Sequence, residues 1–151
     1  MRCLLLLILV TTATHGWASD SMIDRRLREA IMAMGENPVP NTPSPIDRGV
    51  RLLLTDGAME SEAEVVAKAF SDTFALVGRP QQSEEVAVRL YGSRTEIAYF
   101  VIPCVRGSAF VRVVSLKRGD NQRVVSSVAV SARPELVYPS DLLLPEQSQR
   151  R

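Results

Sequence analysis

The clearest pattern in the chain is a series of mainly apolar residues that lie three or four positions apart between Met59 and Val77. This spacing follows the 3.6-residue period of an α-helix with one buried face. Gly78 then supplies a left-handed stop, and Pro80 cannot continue a helix. The positions on this face are Met59, Ala63, Val66, Phe70, Thr73, Phe74 and Val77. The pattern therefore predicts one amphipathic helix over 59–77.

From Glu84 the apolar residues alternate with a period of two, which is typical of half-buried β-strands. Three turn signals divide this part of the chain: Gly92-Ser93, Gly107-Ser108 and the segment 118–121. Four strands in succession, each joined to the next by a tight turn, pair as an antiparallel meander. We therefore predict an α+β fold of two layers, with the amphipathic helix packed on a four-stranded antiparallel meander sheet, in a domain that spans 46–134.

Gly92-Ser93 matches a two-residue type II′ turn, and such a turn fixes the register of the first two strands. It places Tyr91 opposite Arg94 and Arg89 opposite Glu96, which predicts a cross-strand ion pair between Arg89 and Glu96.

This register divides the sheet into two faces, and both are apolar. The face that we expect to receive the helix collects Val86, Val88, Leu90, Ile97, Tyr99, Val101, Val114 and Leu116. The second face collects Phe100, Ile102, Cys104, Val111, Val113, Val124, Val128 and Val130. A solvated second face would alternate with polar residues. We therefore expect this face to be covered by the N-terminal helix, the C-terminal tail, a second copy or another protein.

The segments before the domain differ in composition. Residues 1–18 have a charged start, an eight-residue apolar run from Cys3 to Val10 and a small-x-small site at Gly16-Trp17-Ala18, which together predict a cleaved export signal. The apolar run is too short for a stable membrane anchor. Residues 19–35 predict a short helix and 36–45 a proline-rich linker. Residues 46–55 fit a helix that begins at Pro45 or a strand, and both alternatives stay open.

The C-terminal segment 135–151 is apolar and then polar, with leucines that we expect to pack on the body of the protein or on a partner.

Removal of the signal leaves few groups that can carry chemistry. Its loss takes away His15, the single histidine of the chain, and Cys3, so that one thiol remains at Cys104. General acid–base catalysis, nucleophile activation and zinc binding most often use histidine or several cysteines. We predict no enzyme activity, no cofactor and no metal site. The 18 basic residues are balanced by 17 acidic ones and form no basic cluster, which argues against nucleic acid as a partner.

The function that these observations favour is binding. We expect an exported, periplasmic or secreted module that contacts a protein partner or a second copy through Phe100, Ile102, Val111, Val113, Val128 and Val130. The alternative is a secreted inhibitor or adhesion ligand that presents Arg118-Gly119-Asp120 at a hairpin tip, as integrin-binding loops do. One helix on a four-strand meander also resembles the cystatin layout, although the Gln-x-Val-x-Gly hairpin of that family is absent.

Overall fold

A computed structural model describes residues 22–57, 60–119 and 122–143 of this chain. The helices in that part are α1 (Met22–Met34), α2 (Pro45–Leu54), α3 (Ala63–Val77) and α4 (Ser140–Leu143), with 3₁₀ turns at Glu60–Glu62 and Pro134–Leu136. The strands are β1 (Glu84–Tyr91), β2 (Thr95–Cys104), β3 (Gly107–Lys117) and β4 (Arg123–Ser131). They form one antiparallel sheet in the order β1-β2-β3-β4. The predicted α+β fold with a four-stranded meander is confirmed. The predicted export signal, 1–18, lies outside the described residues.

The segment after the proline-rich linker is a helix, which decides between the two alternatives for 46–55. Ser44 caps α2, because its hydroxyl accepts a hydrogen bond from the Asp47 backbone N–H at 3.0 Å. Pro45 occupies the first turn, where its missing N–H costs nothing. Gly49 allows α1 to approach α2 closely, since a Cβ at that position would lie 2.4 Å from the Ala30 carbonyl oxygen.

The helical layer contains three helices instead of one. It covers the second face of the sheet, which we expected the N-terminal helix, the C-terminal tail, a second copy or another protein to cover. Helices α1, α2 and α3 share one buried core with Ala98, Phe100, Ile102, Val111 and Val113 of the sheet. Our assignment of the helix to the other face was wrong.

A difference of one residue in a turn explains this error. The connection between β1 and β2 contains three residues, Gly92 to Arg94, and Gly92 adopts a φ of 63°. Tyr91 therefore pairs with Thr95, and Val88 pairs with Ala98. A shift of one residue moves every side chain of a strand to the opposite face of its neighbour. Val88 and Leu90 of β1 consequently lie on the Ala98 face.

Four of the predicted interaction residues lie in the core of the chain. Phe100, Ile102, Val111 and Val113 each have 0% of their surface exposed. Val128 and Val130 are half-buried and pack against the same cluster. The expectation that these six residues contact a protein partner or a second copy is corrected, because the helices of the same chain cover that face.

The C-terminal segment covers part of the other face. Tyr138 packs edge-on against Tyr99 and Phe110, with ring centroids at 5.7 and 5.4 Å. Its hydroxyl donates a hydrogen bond of 2.7 Å to the Phe100 carbonyl oxygen. Burial raises the pKa of Tyr138 to about 12. Half-buried Leu142 packs against the same small cluster, so at least one of the tail leucines contacts the body.

The predicted ion pair between Arg89 and Glu96 does not form in this register. Arg89 lies opposite Ile97, binds Asp141 of α4 and sits 5.8 Å from the centroid of the Tyr99 ring. Glu96 instead pairs with Arg123 of β4 at 3.3 Å. Within the described ranges, no helix is long and apolar enough to cross a membrane.

Candidate docking surface at the hairpin tip

Alternate turns of a meander lie at the same end of the sheet, and two of them meet here. The β1–β2 turn and the β3–β4 turn lie side by side, since the Lys117 N–H donates a hydrogen bond of 2.8 Å to the Arg94 carbonyl oxygen. The Arg118 N–H closes the β3–β4 hairpin with a hydrogen bond of 2.7 Å to the Gln122 carbonyl oxygen. We use the name hairpin tip for six side chains at this end: Leu90, Tyr91, Arg94, Leu116, Lys117 and Arg118.

The apolar side chains of the hairpin tip are exposed. Leu90 is 67% exposed, Tyr91 54% and Leu116 40%. Tyr91 and Leu116 both pair with Thr95 of β2, so they lie on one face of the sheet. Leu90 pairs with Glu96 and therefore lies on the helix-covered face. The end of the sheet thus carries apolar groups on both faces, where the described helices do not cover them.

Three cations lie at the same end of the sheet as these apolar groups. Arg94, Lys117 and Arg118 line an open depression of about 480 Å³ together with Ser93 and Gly119. Within the described part of the chain, none of the three has a carboxylate within salt-bridge distance. Each of the six ion pairs there uses a different cation: Arg26, Arg28, Arg48, Lys68, Arg89 or Arg123. This group of like charges creates a positive potential at the tip, which attracts acidic groups.

One of the eight predicted interaction residues belongs to this end of the described structure. Arg118 is exposed in the hairpin tip, whereas Asp120 lies outside the described residues. Sequence reasoning missed Arg94 and Lys117, because they are far apart in the chain and only the meander brings their backbones together. The signal that could have found them is topological: the first and third turns of a meander share an end.

Cys104 was the one remaining candidate for nucleophilic chemistry. Its thiol contacts the Ile102 carbonyl oxygen at 3.4 Å, and burial raises the pKa of the thiol above its ordinary value. The guanidinium of nearby Arg106 instead donates a hydrogen bond of 2.7 Å to the Ala75 carbonyl oxygen. This environment favours the neutral thiol, and the thiolate is the nucleophilic form.

A group of carboxylates lies between α1 and the sheet. Asp24 is buried and accepts a hydrogen bond of 2.9 Å from Arg28. Burial raises the pKa of Glu85, and the charges of Asp24 and Glu96 raise it further, whereas Arg28 lowers it. Over the described ranges, no group of three or more histidine, cysteine, aspartate or glutamate side chains is arranged to hold a metal ion.

Comparison with known proteins adds no further assignment: no family model, curated protein or solved structure matches this chain.

Proposed function

We propose that this protein is an exported, non-enzymatic binding module that docks onto an acidic protein partner through the hairpin tip. The observation that carries the proposal is the position of three exposed apolar side chains next to three cations without an ion-pair partner in the described structure. The sequence pattern of residues 1–18 supports export.

The composition of the hairpin tip suits a protein interface. Tyrosine and arginine are enriched among the residues that carry most of the binding energy, and apolar groups next to a polar rim are the usual arrangement. Tyr91 and Leu116 supply the apolar centre, while Arg94 and Lys117 supply the rim. Complementary charge mainly raises the association rate and rejects wrong partners.

The charge of the tip favours a different protein over a second copy. In a two-fold symmetric dimer the same patch faces itself across the axis. A dimer through the hairpin tip would therefore bring six cations together, Arg94, Lys117 and Arg118 from each chain, and like charges at an interface are unfavourable. An acidic surface on another protein removes this repulsion.

The experiment is site-specific photo-crosslinking of the secreted or periplasmic form in its own envelope or extracellular fraction. A photoreactive phenylalanine analogue replaces Tyr91, or Arg133 as an exposed control outside the tip. We expect a defined adduct with an acidic protein from position 91 and none from position 133. The purified partner should then bind at least about tenfold more weakly to a Lys117→Glu variant, and more weakly at high salt. Equal binding by Lys117→Glu and Arg133→Glu would refute the proposal.

A second function is favoured by the exposure of Arg118 and Gly119 at the β3–β4 turn. This is the adhesion ligand that the Arg118-Gly119-Asp120 tripeptide indicates. Asp120→Ala should abolish cell attachment if this function is correct, because a metal-bearing receptor needs the carboxylate, whereas Arg94→Ala should leave attachment unchanged. Docking on an acidic partner gives the reverse: Arg94→Ala weakens binding, and Asp120→Ala does not.

A further inference from the structure

A groove lies at the opposite end of the sheet from the hairpin tip. It has a volume of about 530 Å³, within the range of about 300–1,000 Å³ that is typical of ligand sites. One wall is the C-terminal half of α1 with Gly35 and Glu36, and the other is the segment 79–83 that leads into β1. We call it the α1 groove.

The second wall extends an edge strand. The Gln81 N–H donates a hydrogen bond of 2.8 Å to the Pro103 carbonyl oxygen, and the Val105 N–H donates one of 3.2 Å to the Arg79 carbonyl oxygen. Pro80 forms an isolated antiparallel bridge with Cys104. Residues 79–81 therefore run beside the end of β2, and residues 82–83 connect them to β1, which is the first strand of the sheet. A strand at this position leaves one side of its backbone available for an added peptide strand.

Ser83 contributes a buried hydroxyl without a partner. Its side chain lies in the wall of the groove, and the residue is only 3% exposed. The Ser83 Oγ has no hydrogen-bond partner within the described structure. Buried hydroxyls are almost always hydrogen-bonded, because an unpaired hydroxyl loses its hydrogen bonds to water on burial and gains none in return. The Oγ itself has less than 1 Å² of accessible surface. Rotation about the Cα–Cβ bond would turn the hydroxyl towards the α1 groove, where a polar backbone group of a ligand would satisfy it.

The groove also offers one unpaired cation and an apolar wall. Glu36 is neutralised by Arg48 at 2.7 Å, and Arg28 is held by Asp24. Arg79 is exposed and forms none of the ion pairs of the described chain. Met32 is 73% exposed and lines the groove beside Pro80.

From this arrangement we propose that the α1 groove binds an extended peptide that carries a carboxylate. The peptide backbone adds along residues 81–83 as a further strand and supplies a hydrogen bond to the Ser83 hydroxyl. The Arg79 guanidinium binds the carboxylate, and an apolar side chain of the peptide packs on Met32. The carboxylate belongs either to a free C-terminus or to an acidic side chain. This site is separate from the hairpin tip and does not depend on the function proposed for the tip.

The test uses three hexapeptide pools, each randomised over valine, isoleucine, leucine and threonine. The first ends in a free carboxylate, the second in an amide, and the third in an amide with glutamate at the penultimate position. Binding to the full secreted chain is followed through the backbone amide NMR signals of residues 81–83. We expect saturable shifts below about 1 mM with the first or third pool and about tenfold weaker binding of the second. The stronger of the two carboxylate pools identifies the source of the carboxylate.

Three variants and a matched control separate this site from non-specific binding. Arg79→Gln should weaken the carboxylate pools about tenfold and leave the amide pool unchanged. Ser83→Ala should weaken all three pools. Gly35→Met should fold, since a Cβ at position 35 makes only ordinary contacts, the nearest at 3.5 Å. Because Gly35 lines the groove, the added side chain should block peptide binding. Arg133→Gln, which removes an exposed arginine elsewhere, should change nothing.

Several outcomes would overturn the proposal. These are the absence of shifts at 81–83 with all three pools, equal binding of the carboxylate and amide pools, and equal binding by Arg79→Gln and Arg133→Gln. If deletion of 144–151 alone increases peptide binding, the occupant is the tail of the same chain and the proposal fails in favour of an intramolecular contact. Arg79 is exposed, so its variant keeps the test decisive even if Gly35→Met does not fold.

Discussion

Replacement of Gly49 by alanine tests how closely α1 and α2 pack. Glycine inside a helix normally costs about 1 kcal/mol relative to alanine, so helix propensity alone predicts that Gly49→Ala stabilises the protein. The structure predicts the opposite. A Cβ at position 49 would lie 2.4 Å from the Ala30 carbonyl oxygen and 2.4 Å from the Met34 Cγ. The Met34 side chain can rotate away, but the Ala30 oxygen belongs to the backbone of α1 and can move only with the helix.

The expected size of the effect follows from these two terms. Inserting a methyl group into a packed core costs about 1–3 kcal/mol. The upper half of that range applies, because the obstacle is backbone. After the propensity gain of about 1 kcal/mol is subtracted, Gly49→Ala should lower the free energy of unfolding by about 1–2 kcal/mol. In a domain of this size that corresponds to a decrease of about 3–6 °C in Tm.

The assay is thermal and urea denaturation of the purified protein, followed by circular dichroism. Gly35→Ala serves as the control, because its Cβ would meet the Ile31 carbonyl oxygen at an ordinary 3.5 Å. We expect Gly35→Ala to leave Tm within about a degree of the parent or to raise it. A Gly49→Ala variant that is as stable as the parent would show that α1 and α2 do not approach as closely as described, and would refute the reasoning.

Three further perturbations probe the core, the C-terminal segment and the half-buried carboxyl of Glu85. Phe100→Asp should prevent folding of the single chain, because it places a charge in a fully buried site; denaturation and analytical gel filtration separate this from a loss of assembly. Tyr138→Phe should cost about 1 kcal/mol of unfolding free energy in urea titrations, because it removes the 2.7 Å hydrogen bond and keeps the ring contacts. Glu85→Gln should raise Tm at neutral pH, with a gain that declines as the pH falls towards and below 4.5.

The sign of the Glu85 prediction follows from the direction of its pKa. Because the folded protein raises the pKa of Glu85, it binds that proton more tightly than the unfolded chain does. The ionised carboxyl therefore destabilises the fold above the raised pKa, and protonation removes this cost at lower pH. Glutamine never carries the charge, so its advantage is present at neutral pH and absent in acid. A gain that is constant with pH would contradict this explanation. So would a Tyr138→Phe variant as stable as the parent, or a Phe100→Asp variant that folds.

Local patterns in the sequence determined the elements of the fold. The spacing of three and four predicts a helix over 59–77, and α3 occupies Ala63–Val77 of that range. The period of two and the turn residues between the strands predict all four strands and their meander order. The Ser44-Pro45 pair marks the start of α2. These signals act between residues that are close in the chain, so the sequence carries them without reference to the rest of the protein.

Only the tertiary structure decided which side of the sheet faces the helices. Strand β2 is apolar on both faces, so its pattern does not distinguish them, and the length of the turn at Gly92 sets the register by a single residue. The same holds for the two candidate sites. Arg118 was recognisable in the sequence from its turn, but Arg94 and Lys117 become its neighbours only because the first and third turns share an end. The α1 groove likewise exists because α1 and the segment 79–83, which are distant in the chain, lie together, and such a juxtaposition leaves no period in the sequence.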